Sequence, residues 1–546
     1  MEFLNSEQIR DLWKKFWEDK KQNHKEVKAN SLIPDAKDKT VLFTTAGMQQ
    51  LVPYLVGKPH PLGKRVYNIQ KCVRTWDIDE VGDERHLTFF EMMGNWSLGD
   101  YFKKEAIDWS YEFLTKYLQI NHDKIWATVF AGDGNIPTDE ESIDIWKSKG
   151  IDPAKIRKLW ADDNFRGPAG EVGPCWPCSE MYFDRGDDYG PADWKIWEND
   201  RYIEIWNDVF MEFYKDENGN FEKLKQQNVD TWMWLERICM VMQDKETIFE
   251  TDLFEPIIRT IEKYLNIKYP AYAKKEKNFD NHEKILTKKI RIITDHLRSS
   301  IFLIWDGAIP SNEWRGYVLR RIIRRAYFNI ISVKKDFSQL DKFLDEILDT
   351  ICQKYWFYRK EIVINKENIK VTLKKEIQNF ENTLEKWLKI FEDYLQNFKW
   401  EILPGEIVFK LYDTYGFPLE LTSEIAISKN YQVDMDWFES EMEKAKEKSR
   451  LSSKDMFKRW IDWAKYLEWI PQIKFIWYET LSSENIKILK EIDIDWQKIL
   501  IFDQTPFYAE SGGQTGDKWT VILDDNTEIT IKDVQKYAWV FLHFVE

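Results

Sequence analysis

Leu373, Ile377, Phe380, Leu384, Leu388, Phe391 and Leu395 recur at spacings of three and four. That period draws one apolar stripe and predicts a long helix facing a core, with its charged side in solvent. Residues 246–455 carry the helical signature for most of their length. Residues 1–245 read instead as mixed α and β with sharp turns. Within them, 67–74 ("YNIQKCVR") and 87–97 ("LTFFEMMGNWS") have strand character. The polar segment between them, "TWDIDEVGDERH", predicts a hairpin with a long charged loop. Leu235, Ile238, Cys239 and Met242 form a short helical stripe, and Thr231 is placed to cap that helix. From about residue 470 the chain turns to short runs such as "ILIFDQTPFYAESGGQTGDKWTVILDD", which predict a β-rich domain. There are no internal repeats or low-complexity tracts.

The 546 residues fit about three or four domains by length. The divisions expected are 1–245, 246–455 and 456–546. At 43% hydrophobic the chain can bury a core, which excludes global disorder. No stretch of 18 apolar residues appears, so no membrane span is predicted. The start, "MEFLNSEQIRDLWKKFW", lacks the basic and apolar regions of a secretion signal, so a cytoplasmic protein is expected. Five cysteines in so long a chain argue against a disulfide framework. The net charge of -15 does not suit a wholly basic nucleic-acid coat, yet leaves room for a local basic face.

Four segments carry candidate chemistry. In the hairpin, Arg74 ends one strand, Arg85 lies in the loop, and Phe89 and Phe90 begin the return. An arginine fork can hold a phosphate oxygen and a carboxylate together, and an aromatic can stack on a base. Taken alone, the segment is equally a charged surface hairpin over a core phenylalanine. In "VDTWMWLERI" (229–238), Asp230 could hold an ammonium and Arg237, off the apolar stripe, could reach a phosphate. A cap and a surface ion pair would read the same way. In "PSNEWRGYVLRRIIRRA" (310–326), Arg320 and Arg324 are four apart, as are Arg321 and Arg325. They form a broad basic face over Val318, Leu319, Ile322 and Ile323, suited to nucleic-acid phosphates or simply to solvent. Cys175 and Cys178 in "GPCWPCSE" form a C-x-x-C. With no second ligand pair in the sequence, structural thiols are expected rather than zinc.

Taken together, "VLFTTAGMQQLVPYLVG", "HLTFFEMMGNWSLGDYFKKEAI", "RYIEIWNDVFMEF", "VDTWMWLERI", "SNEWRGYVLRRIIRRA", "KLYDTYGFPLEL" and "DQTPFYAESGGQTGDK" resemble the alanyl-tRNA synthetases, a class II aminoacyl-tRNA synthetase family. The segments stand in the family order along nearly the whole chain. The resemblance implies an α+β fold: an antiparallel catalytic sheet flanked by helices, a helical tRNA-recognition domain, and the start of a β-barrel-like domain. It implies ATP-dependent ligation of L-alanine to the 3′ end of tRNA-Ala through alanyl-adenylate, with ATP and Mg²⁺. By position, Arg74 matches the arginine bridging the α-phosphate and the alanine carboxylate. Arg85 and Phe90 match the return side of the ATP site, Asp230 the acid for the alanine ammonium, Asn207 the alanine-pocket strand, and Arg237 the γ-phosphate arginine. Asn312 and Asp413 match the pair that reads the G·U wobble of the acceptor stem, beside Arg320, Arg321, Arg324 and Arg325. The family usually has Trp where this chain has Arg166, which alters the lining expected beside the alanine pocket. The sequence stops in the β-rich domain, without the editing motifs, their zinc ligands or the oligomerisation region. Neither editing, zinc nor an oligomer is therefore expected of it. A noncatalytic tRNA-binding paralogue and a class II-like ligase that uses no tRNA are the alternatives.

Composition adds one anomaly. The chain has 27 Trp and 22 Gly, where about 38 Gly would be ordinary at roughly 7%. The family writes Gly at the positions of Trp76, Trp176, Trp232, Trp234, Trp314, Trp519 and Trp539. Trp160, Trp387, Trp400, Trp437, Trp460 and Trp477 look similar, whereas Trp96, Trp109, Trp126 and Trp206 stand at aromatic sites. The pattern predicts a source gene that reads UGA as glycine, rendered here as Trp. The alternative is a lineage truly enriched in Trp. The indoles at 232 and 234 are expected to crowd the ATP pocket or to be pushed aside.

Overall fold

A computed structural model describes residues 3–34, 41–134, 136–166, 173–192, 200–216, 220–273, 275–312, 314–355, 358–397 and 402–415. It also describes 419, 422–423, 426, 431–435, 437–438, 440, 474–475, 487–494, 497–505, 519–522, 528–537 and 540–545. The chain forms two compact units, Met1–Leu388 and Lys389–Glu546.

The first unit is built on a sheet of nine strands. These are β1 (Lys25–Glu26), β2 (Arg65–Val73), β3 (Phe89–Leu98), β4 (Ile125–Phe130), β5 (Ile156–Leu159), β6 (Phe165–Arg166), β7 (Gly173–Asp184), β8 (Tyr202–Lys215) and β9 (Phe221–Trp234). Eight follow the order β1-β2-β3-β9-β8-β7-β4-β5, and β6 pairs with β7 off that path. The interior pairings are antiparallel, as expected; the two end pairs, β1 with β2 and β4 with β5, are parallel. The expected hairpin is present as β2 and β3, in unbroken register from Arg65 opposite Ser97 to Val73 opposite Phe89. Every residue of β3 is buried, so both of its faces are covered.

The helices begin with α1 (Ser6–Glu18), α2 (Val52–Leu55), α3 (Lys103–Glu112), α4 (Glu140–Ser148), α5 (Ala161–Asn164) and α6 (Leu235–Met242). Of these, α1 and α3 cover one face of the sheet, whereas α2 packs through Leu55 beside Trp96 on the other. Asn5 and Gln8 close a capping box on α1, satisfying donors that a bare helix start would leave unpaired. The apolar side of α1 then buries Ile9, Trp13, Phe16 and Trp17. Trp13 meets Trp206 of β8 at 5.2 Å and Phe113 at 5.3 Å.

The helical part continues with α7 (Glu255–Leu265), α8 (Asn281–Trp305), α9 (Trp314–Val333), α10 (Leu340–Lys354), α11 (Arg359–Ile364) and α12 (Lys366–Asn397). α12 contains the stripe expected from the sequence: Leu373, Ile377, Phe380 and Leu384 are buried. The side chains of Leu388, Phe391 and Leu395 lie outside the described residues. Among the described residues no helix is long and apolar enough to cross a membrane.

The second unit contains α13 (Gly405–Tyr415), short paired strands β10 (Ile402–Leu403) and β11 (Gln432–Val433), and a second such pair, β12 (Lys474–Phe475) and β15 (Gln504–Thr505). A five-stranded antiparallel sheet joins β13 (Ile488–Ile494), β14 (Gln497–Phe502), β18 (Val540–Val545), β17 (Glu528–Tyr537) and β16 (Trp519–Ile522), in that order. Leu500, Phe502, Ile531, Val534 and Leu542 form its core.

Candidate active site

Residues directly opposite on paired antiparallel strands share a face of the sheet. The register therefore sorts the middle of the first unit into two sets. Asp230 stands opposite Trp96 on one side and Val209 on the other. Trp232 stands opposite Gly94 and Asn207, and Asn207 opposite Glu180. Trp234 is opposite Met92, and Phe90 opposite Cys72. Arg74 follows two residues later, its N–H donating to the Thr88 carbonyl at 3.0 Å. Arg74, Phe90, Asn207 and Asp230 are thus on one face, and Arg237 lies in the first turn of α6, the helix that follows β9.

Alternation sends the intervening residues to the helix-covered face. Thr231 donates its hydroxyl hydrogen to Asn95, the Ser110 hydroxyl of α3 donates to Asp208 at 2.8 Å, and Arg10 of α1 pairs with Glu91. This corrects one sequence expectation. Thr231 does not cap a helix: β9 runs on to Trp234, and α6 starts at Leu235 with no side-chain cap. Cross-strand pairing over 229–234 outcompetes the local capping preference. The expected stripe of Leu235, Ile238, Cys239 and Met242 is buried, with Arg237 off it.

Asp230 is buried and accepts one hydrogen bond, from Trp96 Nε1 at 2.5 Å. Burial pushes its carboxyl up to about 7, and the indole N–H pulls only partly back. The Trp96 ring lies across Gly94, where any Cβ would run into it. Asn207 donates its amide to Glu180 at 2.8 Å and keeps a buried oxygen with no partner among the described residues. Arg237 pairs with Glu204 at 2.8 Å. Its Nε and one Glu204 oxygen are buried and unpartnered among the described residues.

Arg74 is the most exceptional group. Its side chain makes no hydrogen bond or ion pair to any described residue, and its Nε is buried without a partner. Its guanidinium lies instead against four rings: Phe90 at 5.1 Å, Trp234 at 5.2 Å, and Trp76 and Trp232 each at 5.7 Å. Burial pulls the pKa of this cation down. A half-buried guanidinium surrounded by rings can clamp an anion, and a buried carboxyl on the same face of the sheet can receive an amine.

The remaining expected residues lie apart from this cluster. Arg85 pairs with Asp200, both partly exposed. Asn312 is exposed and accepts from Arg320, so these two are brought together. Arg321 pairs with Asp79. Arg324 and Arg325 are interior rather than on an open basic face. Arg324 holds Glu376 of α12 at 2.7 Å, and Arg325 donates to the Ile78 carbonyl at 2.6 Å. Helical spacing alone could not separate the arginines that tie α9 to its neighbours from those that face out. Asp413 lies in α13 of the second unit, and its side chain is outside the described residues. Arg166 stands in β6 opposite Trp176, with its side chain likewise outside them. Cys175 and Cys178 are buried in β7 and unbridged. Among the described residues no three His, Cys, Asp or Glu side chains gather to hold a metal ion.

Sequence reasoning did not connect Trp96, Glu180 and Glu204 with Asp230, Asn207 and Arg237, the groups they hold. Alternation along 89–98 and 173–184 was the signal available for the first two, once the strands were paired. A second omission is buried below the sheet. Glu236 and Arg298, both fully buried, pair at 3.3 Å, and Glu236 also accepts the Glu91 N–H at 3.2 Å. Arg298 donates to the Tyr355 hydroxyl at 2.6 Å and to the Phe89 carbonyl. Tyr358 donates to Glu91 at 3.1 Å. Burial pushes Glu236 up to about 7 against the pull of Arg298. This network joins β3 to α6, the two elements that carry Phe90 and Arg237.

Comparison with known proteins agrees with this geometry. Residues 8–546 match the family described as tRNA synthetases class II (A). Among curated proteins, the chain is 39% identical to an alanine–tRNA ligase of Caldicellulosiruptor saccharolyticus, over 98% of this chain and 60% of that one. It is 41% identical to that of Thermotoga maritima, over 100% and 62%. For the enzyme of Borrelia hermsii the identity is 43%, over 80% and 72%. The chain spans about three fifths of the length of most of these relatives. With the sheet order, these matches assign the fold: the chain belongs to the class II (A) tRNA synthetases, the family of the alanine–tRNA ligases.

Proposed function

We propose that this chain activates L-alanine with ATP and transfers it to the 3′ end of tRNA-Ala. The observation that carries the reading is Arg74, a cation held on the site face without an anion of its own. Its planar fork suits one oxygen of the α-phosphate and one of the alanine carboxylate at once. Asp230, on the same face, takes the alanine ammonium; a cation beside it returns its raised pKa toward the ionised form. Phe90 offers a ring to the base and Arg237 a charge to the terminal phosphate. Glu204, with one unpartnered buried oxygen beside Arg237, fits the single carboxylate that a water-clad Mg²⁺ on a triphosphate commonly takes. Mg²⁺, when bound, neutralises charge on the leaving pyrophosphate.

In the first step a carboxylate oxygen of alanine forms a bond to the α-phosphorus, and the bond to pyrophosphate breaks. In the second, a hydroxyl of the terminal adenosine attacks the alanyl carbonyl and AMP leaves. The chain's own residues orient both reactants and stabilise charge, which is where most of the acceleration arises in such transfers.

Asn312, exposed just ahead of α9 and held by Arg320, supports acceptor-stem contact, with Arg321 as a further cation and Asp413 as the second reader. A noncatalytic tRNA-binding paralogue would leave Arg74 and Asp230 without a task. Charging of acceptor-stem minihelices by the chain with glycine at its glycine-like Trp positions tests the reading. Alanine should pass to a helix with the G·U pair and not to one with G·C. Equal charging of both would remove Asn312 and Asp413 from their role, and a lack of any charging beside normal adenylate formation would remove tRNA as the acceptor.

A further inference from the structure

Trp234 is clamped between two groups. Its ring lies 3.9 Å from Phe90 at 12°, a face-to-face stack, and the Arg237 guanidinium sits 4.4 Å over it. An aromatic ring below and a guanidinium above define a slot one flat ring thick. That geometry takes a purine base, and here a side chain of the same strand fills it. Trp234 is 3% exposed, yet its Nε1 has no partner among the described residues. Next to it, Trp232 and Trp76 close the remaining sides of Arg74.

The tryptophans elsewhere divide in the same way. Trp96, Trp109, Trp126 and Trp206, at aromatic sites by sequence, are all buried. Of those at glycine-like sites, Trp76, Trp160 and Trp314 are 62–72% exposed, and Trp437 is also exposed. Trp314 has a φ of 47°, in the left-handed region that favours glycine. Trp176 is the exception, packed against the cluster around Trp96. Trp387, Trp519 and the rest of that group lie, in their side chains at least, outside the described residues.

We propose that Trp234, with Trp232, plugs the nucleotide slot between Phe90 and Arg237, and that the working protein carries glycine at both positions. The proposal rests on the ATP reading of this site and adds what obstructs it. The unaltered chain and the variant W232G/W234G are compared for Mg-ATP binding by calorimetry, with circular dichroism to establish that both are folded. The variant is expected to bind at least tenfold more tightly, while W232F/W234F stays as weak as the unaltered chain. Equal affinity of the unaltered chain and the glycine variant overturns the plug. Tighter ATP binding without alanine-dependent exchange keeps the plug and sinks the proposed activity instead. A second measurement needs no variant: the mass of the tryptic peptide Gln226–Arg237 from the source organism. Glycine at 232 and 234 is expected, and tryptophan there overturns the proposal.

Discussion

Asp230 links burial and protonation at a single residue, the one proposed to take the alanine ammonium. Its folded pKa is raised to about 7 from the ordinary value near 4, because desolvation penalises the charged carboxylate. A raised acid stabilises the fold below its unfolded pKa, and that contribution is lost as pH climbs through the folded value. Alanine's ammonium needs the opposite form. The KM for alanine should therefore fall between about pH 6 and pH 8 while the fold loses some stability over the same range. Asp230→Asn should raise that KM by about 30-fold or more, the scale of a charged hydrogen bond worth about 2–3 kcal/mol. It should also flatten the pH dependence of KM. Steady-state exchange across pH measures both, and an unchanged slope in the variant would assign the titration to another group. Asp230 itself was legible from its motif. Its environment was not, because Trp96 is 134 residues away in sequence and adjacent only through strand pairing.

At the scale of elements, the hairpin and the long amphipathic helix were legible because each has a local period: alternation in 65–98 and threes and fours in 366–397. The end of β9 was not. "VDTWMWLERI" contains a good capping residue, and only pairing with β3 and β8 fixes 229–234 as strand. The basic face of α9 was misread for a related reason, since the packing of α9 against α12 and the hairpin loop decides which arginines are interior. The same kind of non-local contact builds the polar network under the site. Arg298→Ala would leave Glu236 buried without its cation and free the Phe89 carbonyl. Breaking a buried pair in this way costs about 3–5 kcal/mol. Chemical denaturation should show that loss, and the double variant R298A/E236Q should recover part of it, because the uncompensated carboxylate is gone. A loss no greater than about 0.5 kcal/mol would mean that the pair is solvated rather than buried.

At the scale of the whole molecule, the family was legible from seven segments in order, and the matches over residues 8–546 bear that out. Crowding by the indoles at 232 and 234 was legible from their glycine-like positions; that Trp76, Phe90 and both indoles gather around Arg74 was not, because only strand pairing brings them together. A large indole in place of glycine typically costs about 1–3 kcal/mol where space is short. Several such positions together approach the whole stability of a domain, about 5–15 kcal/mol. The chain with glycine at those positions should therefore be both more stable and more active. Alanine-dependent exchange of pyrophosphate into ATP by that chain tests the central claim most directly, because it needs Arg74, Asp230 and an open nucleotide slot together and needs no tRNA. The account predicts exchange with alanine, at least a hundredfold weaker in Arg74→Ala. A folded chain that binds ATP but exchanges no pyrophosphate with alanine, or exchanges equally well without Arg74, would contradict it.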